Sequence, residues 1–185
     1  MTSYPRSGNT LLRATLEKVM GLVTGSDCNI NLKLNQELME LGLAGEGLVD
    51  KKVWIVKTHF PERYASSNYE AQRAILLVRS PLDAFTSLFH MLGSGSHDVS
   101  MAEEEFVRFD KLWYMFIEQE ATVWKDFHDY WLKLKIPIHI IRYEDIKKHP
   151  KESITDLMKF VFKKENLENT MLEKIIDIAT KQDAP

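Results

Sequence analysis

The stretch Ser3-Tyr4-Pro5-Arg6-Ser7-Gly8-Asn9-Thr10-Leu11-Leu12-Arg13 constrains this chain more than any other. Pro5 pushes Tyr4 towards extended geometry, so the stretch begins as the end of a strand. Ser7, Gly8 and Asn9 are turn formers, and Gly8 lets a ligand approach the backbone closely. From Thr10 onward, Leu12, Leu16, Val19, Met20 and Val23 recur at helical spacing. A tight turn feeding a helix N-terminus presents outward N–H groups and the positive end of the helix dipole, which favours an anion. Arg6 adds a permanent cation, and Ser7 and Thr10 add hydroxyl donors. The stretch reads as a phosphate-binding loop; the plain alternative is a capped turn with a surface arginine. It is not a Walker A sequence, because Asn9 stands where that motif needs its lysine and Gly8 is the loop's only glycine.

The rest of the chain alternates strand and helix patterns. Val53-Trp54-Ile55-Val56 is a continuous apolar run, read as a buried strand that ends in Lys57-Thr58-His59-Phe60-Pro61. Residues 74–78 form a second such run and lead into Arg79-Ser80-Pro81, with a helix expected over 82–92. Residues 136–141 form a third, leading into Arg142-Tyr143-Glu144-Asp145. Leu34, Leu38, Met39 and Leu41 predict a short helix, and residues 102–134 a long helical region of one or two helices. Two amphipathic helices follow, one opened by Pro150 and one marked by Leu167, Leu172, Ile175, Ile176 and Ala179. Residues 25–35 read as polar and irregular, and 93–100 as a glycine- and serine-rich loop that is a candidate mobile segment.

Apolar strands alternating with helices predict an α/β fold: a parallel sheet flanked by helices on both faces, in a single domain over 1–185. Ligands in such sheets sit beyond the C-terminal strand ends. Arg6, His59, Arg79 and Tyr143 each follow an expected strand, so four polar side chains converge on one crevice.

Composition narrows the partners. With 44% hydrophobic and 28% charged residues, the chain can bury a sizeable core. A net charge of −3 argues against a general nucleic-acid binder. The single cysteine, Cys28, excludes an internal disulfide and a cysteine-rich zinc site, and points towards a reducing, cytoplasmic setting. No apolar run is long enough to be a membrane span. Only residues 1–4 precede the loop, which leads us to expect a fragment whose signal or anchor could have been lost upstream.

Four ordered motifs resemble the sulfotransferase family, which moves a sulfuryl group from 3′-phosphoadenosine 5′-phosphosulfate to an acceptor. Tyr-Pro-Arg-Ser-Gly-Asn-Thr at 4–10 is similar to the family's 5′-phosphosulfate loop. Lys-Thr-His-Phe-Pro at 57–61 is similar to the segment bearing its catalytic histidine. Val-Arg-Ser-Pro-Leu-Asp-Ala-Phe-Thr-Ser at 78–87 is similar to its 3′-phosphate segment, and Arg-Tyr-Glu-Asp-Ile-Lys-Lys-His-Pro at 142–150 to the segment whose tyrosine lies near the adenine.

The resemblance covers residues 3–180 and implies a P-loop-like three-layer fold, the phosphosulfate donor and no metal. It implies that His59 is the general base and that Arg6 stabilises charge on the leaving phosphate. Ser7, Gly8, Asn9 and Thr10 would complete the phosphate cradle, Arg79 and Ser87 would grip the 3′-phosphate, and Tyr143 would lie near the base. The acceptor would be a small molecule, or a glycan or peptide bearing a hydroxyl or amine. The aromatics over 106–131 would either line its pocket or pack against the sheet. Lys57 would support the donor or end its strand, and His90 would be structural. The chain departs from the family pattern in carrying Arg6 where cytosolic members usually have lysine, and Leu11 where they usually have tryptophan. It also ends before a basic, glycine-containing segment expected downstream, so the full enzyme should be longer at both ends. The competing readings are a nucleotide kinase-like phosphotransferase and a non-catalytic nucleotide-binding remnant.

Overall fold

A computed structural model describes residues 1–61, 69–96 and 99–181. The turn and helix predicted at the N-terminus are preceded by strand β1 (Thr2–Ser3) and continue as helix α1 (Asn9–Met20). Strand β2 (Gly25–Ser26), helix α2 (Lys33–Glu40) and strand β3 (Val56–Lys57) follow. Then come strand β4 (Ala74–Val78), helices α3 (Pro81–Ser94), α4 (Glu103–Arg108) and α5 (Asp110–Lys133), and strand β5 (Ile138–Arg142). Helices α6 (Tyr143–Lys148), α7 (Pro150–Phe162) and α8 (Met171–Lys181) end the described chain.

Every strand pairing among the described residues is parallel. β1 pairs with β4, and β4 with β5, while β2 pairs with β3. A parallel bridge between Thr2 and Thr58 joins the two groups, giving the order β2-β3-β1-β4-β5. β4 shows why both faces are covered. Ile75 and Leu77 join one core with Leu12 and Leu16 of α1, Ile154 and Leu157 of α7 and Ile176 of α8. Ala74 and Leu76 join the other, with Tyr4, Ala84, Phe85 and Leu88 of α3 and Phe127 and Trp131 of α5. Alternate residues of a strand point to opposite faces, so one apolar run serves both cores. The result is the three-layer α/β architecture.

Several boundaries differ from expectation. The run 53–56 is not a four-residue strand: only Val56 and Lys57 join the ladder, and Trp54 is 64% exposed while Val53 and Ile55 are buried. That alternation fits a sheet with one covered side here, with Trp54 set edge-on against Phe162. β2 lies inside the stretch read as irregular; its Gly-Ser sequence has no apolar signature. Helix α3 runs on to Ser94, ending on Gly95 in the left-handed region at φ 66°. Part of the candidate mobile segment, residues 97–98, lies outside the described residues.

Candidate functional site

β1 ends in the loop, and the loop turns on two left-handed residues, Arg6 at φ 62° and Gly8 at φ 99°. Gly8 is also the N-cap of α1, and no side chain caps that end. The first N–H groups of a helix have no intrahelical acceptor, so this end keeps its anion-binding capacity. Gly8 is required twice over. Its φ suits glycine, and a Cβ there would lie 2.4 Å from Cδ2 of Tyr143. Two buried polar atoms of the loop, Ser7 Oγ and Asn9 Oδ1, have no partner. Asn9 is fixed by its other end, Nδ2 donating to Ser3 Oγ at 2.6 Å.

The four strand ends meet as the sequence leads one to expect. A cavity of about 840 Å³ is lined by Arg6, Gly8, Asn9 and Thr10 of the loop region, and by Lys57, His59, Arg79, Ser87 and Tyr143. Ser7 is buried beneath it rather than on its wall. A smaller cavity of about 320 Å³ shares Arg6, Arg79, Ser87 and Met91 with the first, and adds His90. Within this cluster Arg79 donates to the carbonyl of Arg6 at 2.8 Å, and its guanidinium lies 4.6 Å from the centre of the Tyr143 ring. It makes no ion pair with Asp83 among the described residues. Its buried Nε has no partner. Arg6 Nε donates to Ser87 Oγ at 2.9 Å, so the loop cation lies on the hydroxyl that was expected, with Arg79, to grip the 3′-phosphate. Ser80 N donates to Glu144 Oε1 at 2.7 Å and ties the end of β4 to the start of α6.

His59 follows β3, and its Nδ1 is 2.7 Å from the carbonyl of Ser3. A carbonyl only accepts, so Nδ1 carries the proton in this contact and Nε2 is the basic nitrogen of the neutral ring. Lys57 is buried, and its ammonium donates to Cys28 Sγ at 3.0 Å. His90 stacks on Phe106, at 5.1 Å between ring centres.

The opposite wall of the large cavity comes from residues that carried no functional signal. Leu32, Leu34, Leu38 and Leu41, on and around α2, face the loop, together with Asp27 and Cys28. The aromatics over 106–131 are placed elsewhere. Phe106, Trp113 and Phe116 pack around Phe89, and Phe127 and Trp131 enter the core. Asp27 is 4% exposed, and burial raises its carboxyl pKa, against the opposing pull of Thr58 and Lys57. Nearby, burial and the Asp27 charge push the Tyr69 phenol up to about 12. Behind this wall Arg13 is buried against Glu46 and donates to Thr24 Oγ1 at 2.8 Å. Burial would raise the Glu46 carboxyl, but the Arg13 charge and the Ser26 hydroxyl hold it below its usual value.

A family model described as a sulfotransferase domain matches residues 1–183. The chain is 28% identical over 163 residues to a WSCD family member of Drosophila melanogaster, covering 87% of this chain and 49% of that protein. It is 29% identical over 164 residues to one of Aedes aegypti, again covering 87% and 49%. The chain therefore spans about half the length of the curated relatives it matches. Among solved structures it is similar to mouse sulfotransferase SULT7A1 complexed with PAP. The TM-score is 0.56 at 21% identity, over 100% of this chain and 65% of that one, which shows a shared fold.

Proposed function

We propose, from the premise that this chain belongs to the sulfotransferase domain family, that it transfers a sulfuryl group from 3′-phosphoadenosine 5′-phosphosulfate to an acceptor hydroxyl or amine. The observation that carries this reading is the convergence of Arg6, His59, Arg79 and Tyr143, from four parallel strand ends, on one cavity beside an uncapped helix N-terminus. The PAP complex of the mouse structural neighbour supports the same donor type. Arg79, on the wall of both cavities, also keeps a buried Nε without a partner, which can donate one more hydrogen bond.

In the reaction the acceptor oxygen or nitrogen bonds to sulfur, and the sulfur–oxygen bond to the 5′-phosphate breaks. The electron pair goes to that phosphate, and the acceptor proton goes to His59 Nε2. The Ser3 carbonyl, holding Nδ1–H, keeps the imidazole in the required tautomer. Negative charge gathers on the departing phosphate, where the N-terminus of α1 and Arg6 supply positive potential. Arg79 and Ser87 flank the smaller cavity and suit a second phosphate, the 3′-phosphate, which an arginine fork binds well.

Calorimetry with adenosine 3′,5′-bisphosphate and with AMP tests the donor. A clear preference for the bisphosphate is expected, and equal affinity overturns the assignment. A radiolabelled-donor assay over phenols, steroids, sugars and tyrosyl peptides tests transfer.

A further inference from the structure

Asp27 is the one acidic side chain on the wall of the large cavity among the described residues, and nothing in the mechanism above uses it. It follows β2 directly, and β2 pairs with β3 in the register Ser26↔Lys57. Asp27 therefore leaves the sheet beside Thr58, and His59 leaves it one residue later on the neighbouring strand. The Asp27 N–H donates to the carbonyl of Lys57 at 3.1 Å, which fixes its backbone there. Its side chain is buried, yet Oδ2 has no hydrogen-bond partner. Lys57, a cavity-wall cation whose charge acts on Asp27, turns its ammonium to Cys28 Sγ.

A buried carboxylate oxygen is costly to leave unpaired, and native structures rarely do so without a reason. Here the oxygen belongs to a residue of the cavity in which the acceptor would react. The phosphates and sulfate of the donor cannot be its partners, because they are themselves acceptors and anions, and the proposed reading places the nucleoside towards Tyr143. What can satisfy it is a group that carries a hydrogen.

We propose that Asp27 is an acceptor-binding residue, whose carboxylate turns about χ2 to bring the unpaired Oδ2 to the cavity lined by His59 and Lys57, where it accepts a hydrogen bond from an O–H or N–H⁺ of the sulfuryl acceptor. The inference rests on the transferase reading above and adds the chemical class recognised: an acceptor with a hydrogen-bond donor directed at β2. Burial strengthens the interaction, since the local dielectric is low and water does not compete. Burial raises the carboxyl pKa, against the opposing pull of Thr58 and Lys57.

The test uses the full chain saturated with adenosine 3′,5′-bisphosphate and titrated calorimetrically with two probes. 2-Naphthol offers an O–H alone, and tyramine offers an O–H and an ammonium. At least one should bind saturably to the wild type, and Asp27→Asn should weaken that probe by about 10- to 100-fold, the range of a hydrogen bond to a charged group. A larger loss for tyramine identifies the ammonium as the group recognised; equal losses identify the hydroxyl. Bisphosphate affinity in the variant should stay within about threefold of wild type, and it doubles as the check on folding. Should Asp27→Asn fail to fold, Asp27→Ser is the second variant.

Unchanged probe affinity in the variant, or no saturable probe binding by the wild type, overturns the proposal while leaving the donor assignment standing. Failure of the wild type to bind the bisphosphate is a different result; it removes the transferase reading and this proposal with it.

Discussion

The guanidinium of Arg6 and the hydroxyl of Ser87 are hydrogen-bonded at 2.9 Å across 81 residues of sequence. One group comes from the phosphate loop and the other from α3, so the bond joins the two regions assigned to the two phosphates of the donor. Arg79 closes the arrangement from β4 through the Arg6 carbonyl. The proposed 3′-phosphate site is thus a unit of three residues, in which Arg79 would supply the charge and Ser87 a hydroxyl already engaged.

Truncation at the two positions should therefore differ. Arg79→Ala removes a charged fork and the support of the Arg6 carbonyl. It should weaken adenosine 3′,5′-bisphosphate by about 10- to 100-fold while changing AMP little. Ser87→Ala removes a hydroxyl and should cost less, about three- to tenfold, the range of an ordinary hydrogen bond. Calorimetry with both nucleotides decides this. An Arg79→Ala variant that loses AMP and bisphosphate equally would contradict the 3′-phosphate assignment.

His59→Ala should separate chemistry from binding. Turnover at saturating donor should fall by about 10²- to 10⁴-fold, the usual contribution of a general base. Bisphosphate affinity should stay close to wild type, because the loop is held by Asn9, Arg79 and α1. A variant as active as wild type would mean that another group takes the acceptor proton.

Gly8→Ala should damage the loop from two sides. The backbone sits at φ 99°, and the added methyl would meet the Tyr143 ring. Left-handed geometry costs an alanine about 1–2 kcal/mol, and the ring must also shift. Tyr143→Ala in the same background relieves the second cost but not the first. Because Tyr143→Ala alone also removes a nucleotide contact, the pair is read as a cycle: Gly8→Ala should weaken bisphosphate binding by less in the Tyr143→Ala background than in the wild type. An equal loss in both backgrounds would show that the ring contact is not what excludes a side chain here.

The α/β class, the turn into α1 and the four strand ends were legible in the sequence because each rests on a local signal. Ala74–Val78 is an unbroken apolar run, Gly8 marks a turn, and Pro81 and Pro150 open helices. What was not legible depends on distant partners. β2 consists of Gly25 and Ser26, whose strand geometry comes wholly from pairing with β3. Asp27, just beyond, therefore read as one more polar loop residue. The density of aromatics over 106–131 drew attention to a helix that packs on Phe89 and the core, whereas the far wall of the cavity is built from leucines around α2. Whether an apolar side chain faces ligand or core is a tertiary property, and periodicity alone does not distinguish them.

Stability should fall on the acid side of neutrality. Burial lowers the pKa of His128, whose Nδ1 lies 2.7 Å from the Trp124 carbonyl and whose Nε2 is buried without a partner. Burial lowers that of His139 as well. The folded state thus binds protons less readily than the unfolded chain. Stability from these groups is complete above the unfolded value of 6.5 and is lost as pH falls through the depressed folded values. Asp27 works in the opposite sense, since its raised pKa makes the folded state gain protons first. Comparing wild type with His128→Leu isolates the histidine contribution. The variant should lose less thermal stability than wild type between pH 7.5 and 5.5, and parallel losses would show that His128 does not titrate differently on folding.

Arg13 and Glu46 set the last expectation. The pair is buried, Arg13 at 1% exposure, and Ser26 and Thr24 complete its hydrogen bonding. Such a pair gains little over an apolar one, because both charges give up water, but removing one member strands the other. Arg13→Met should therefore destabilise the fold by about 3–5 kcal/mol, leaving the Glu46 carboxylate without its cation. Adding Glu46→Leu should recover much of that loss, since no charge then stays buried. The same substitutions act on the wall of the cavity, because Glu46 holds Ser26 and Ser26 leads into Asp27. Denaturant melts of the two single variants and the double variant measure the coupling. Additive losses would mean that the two side chains do not act as a pair, and that β2 is held in place by its ladder with β3 alone.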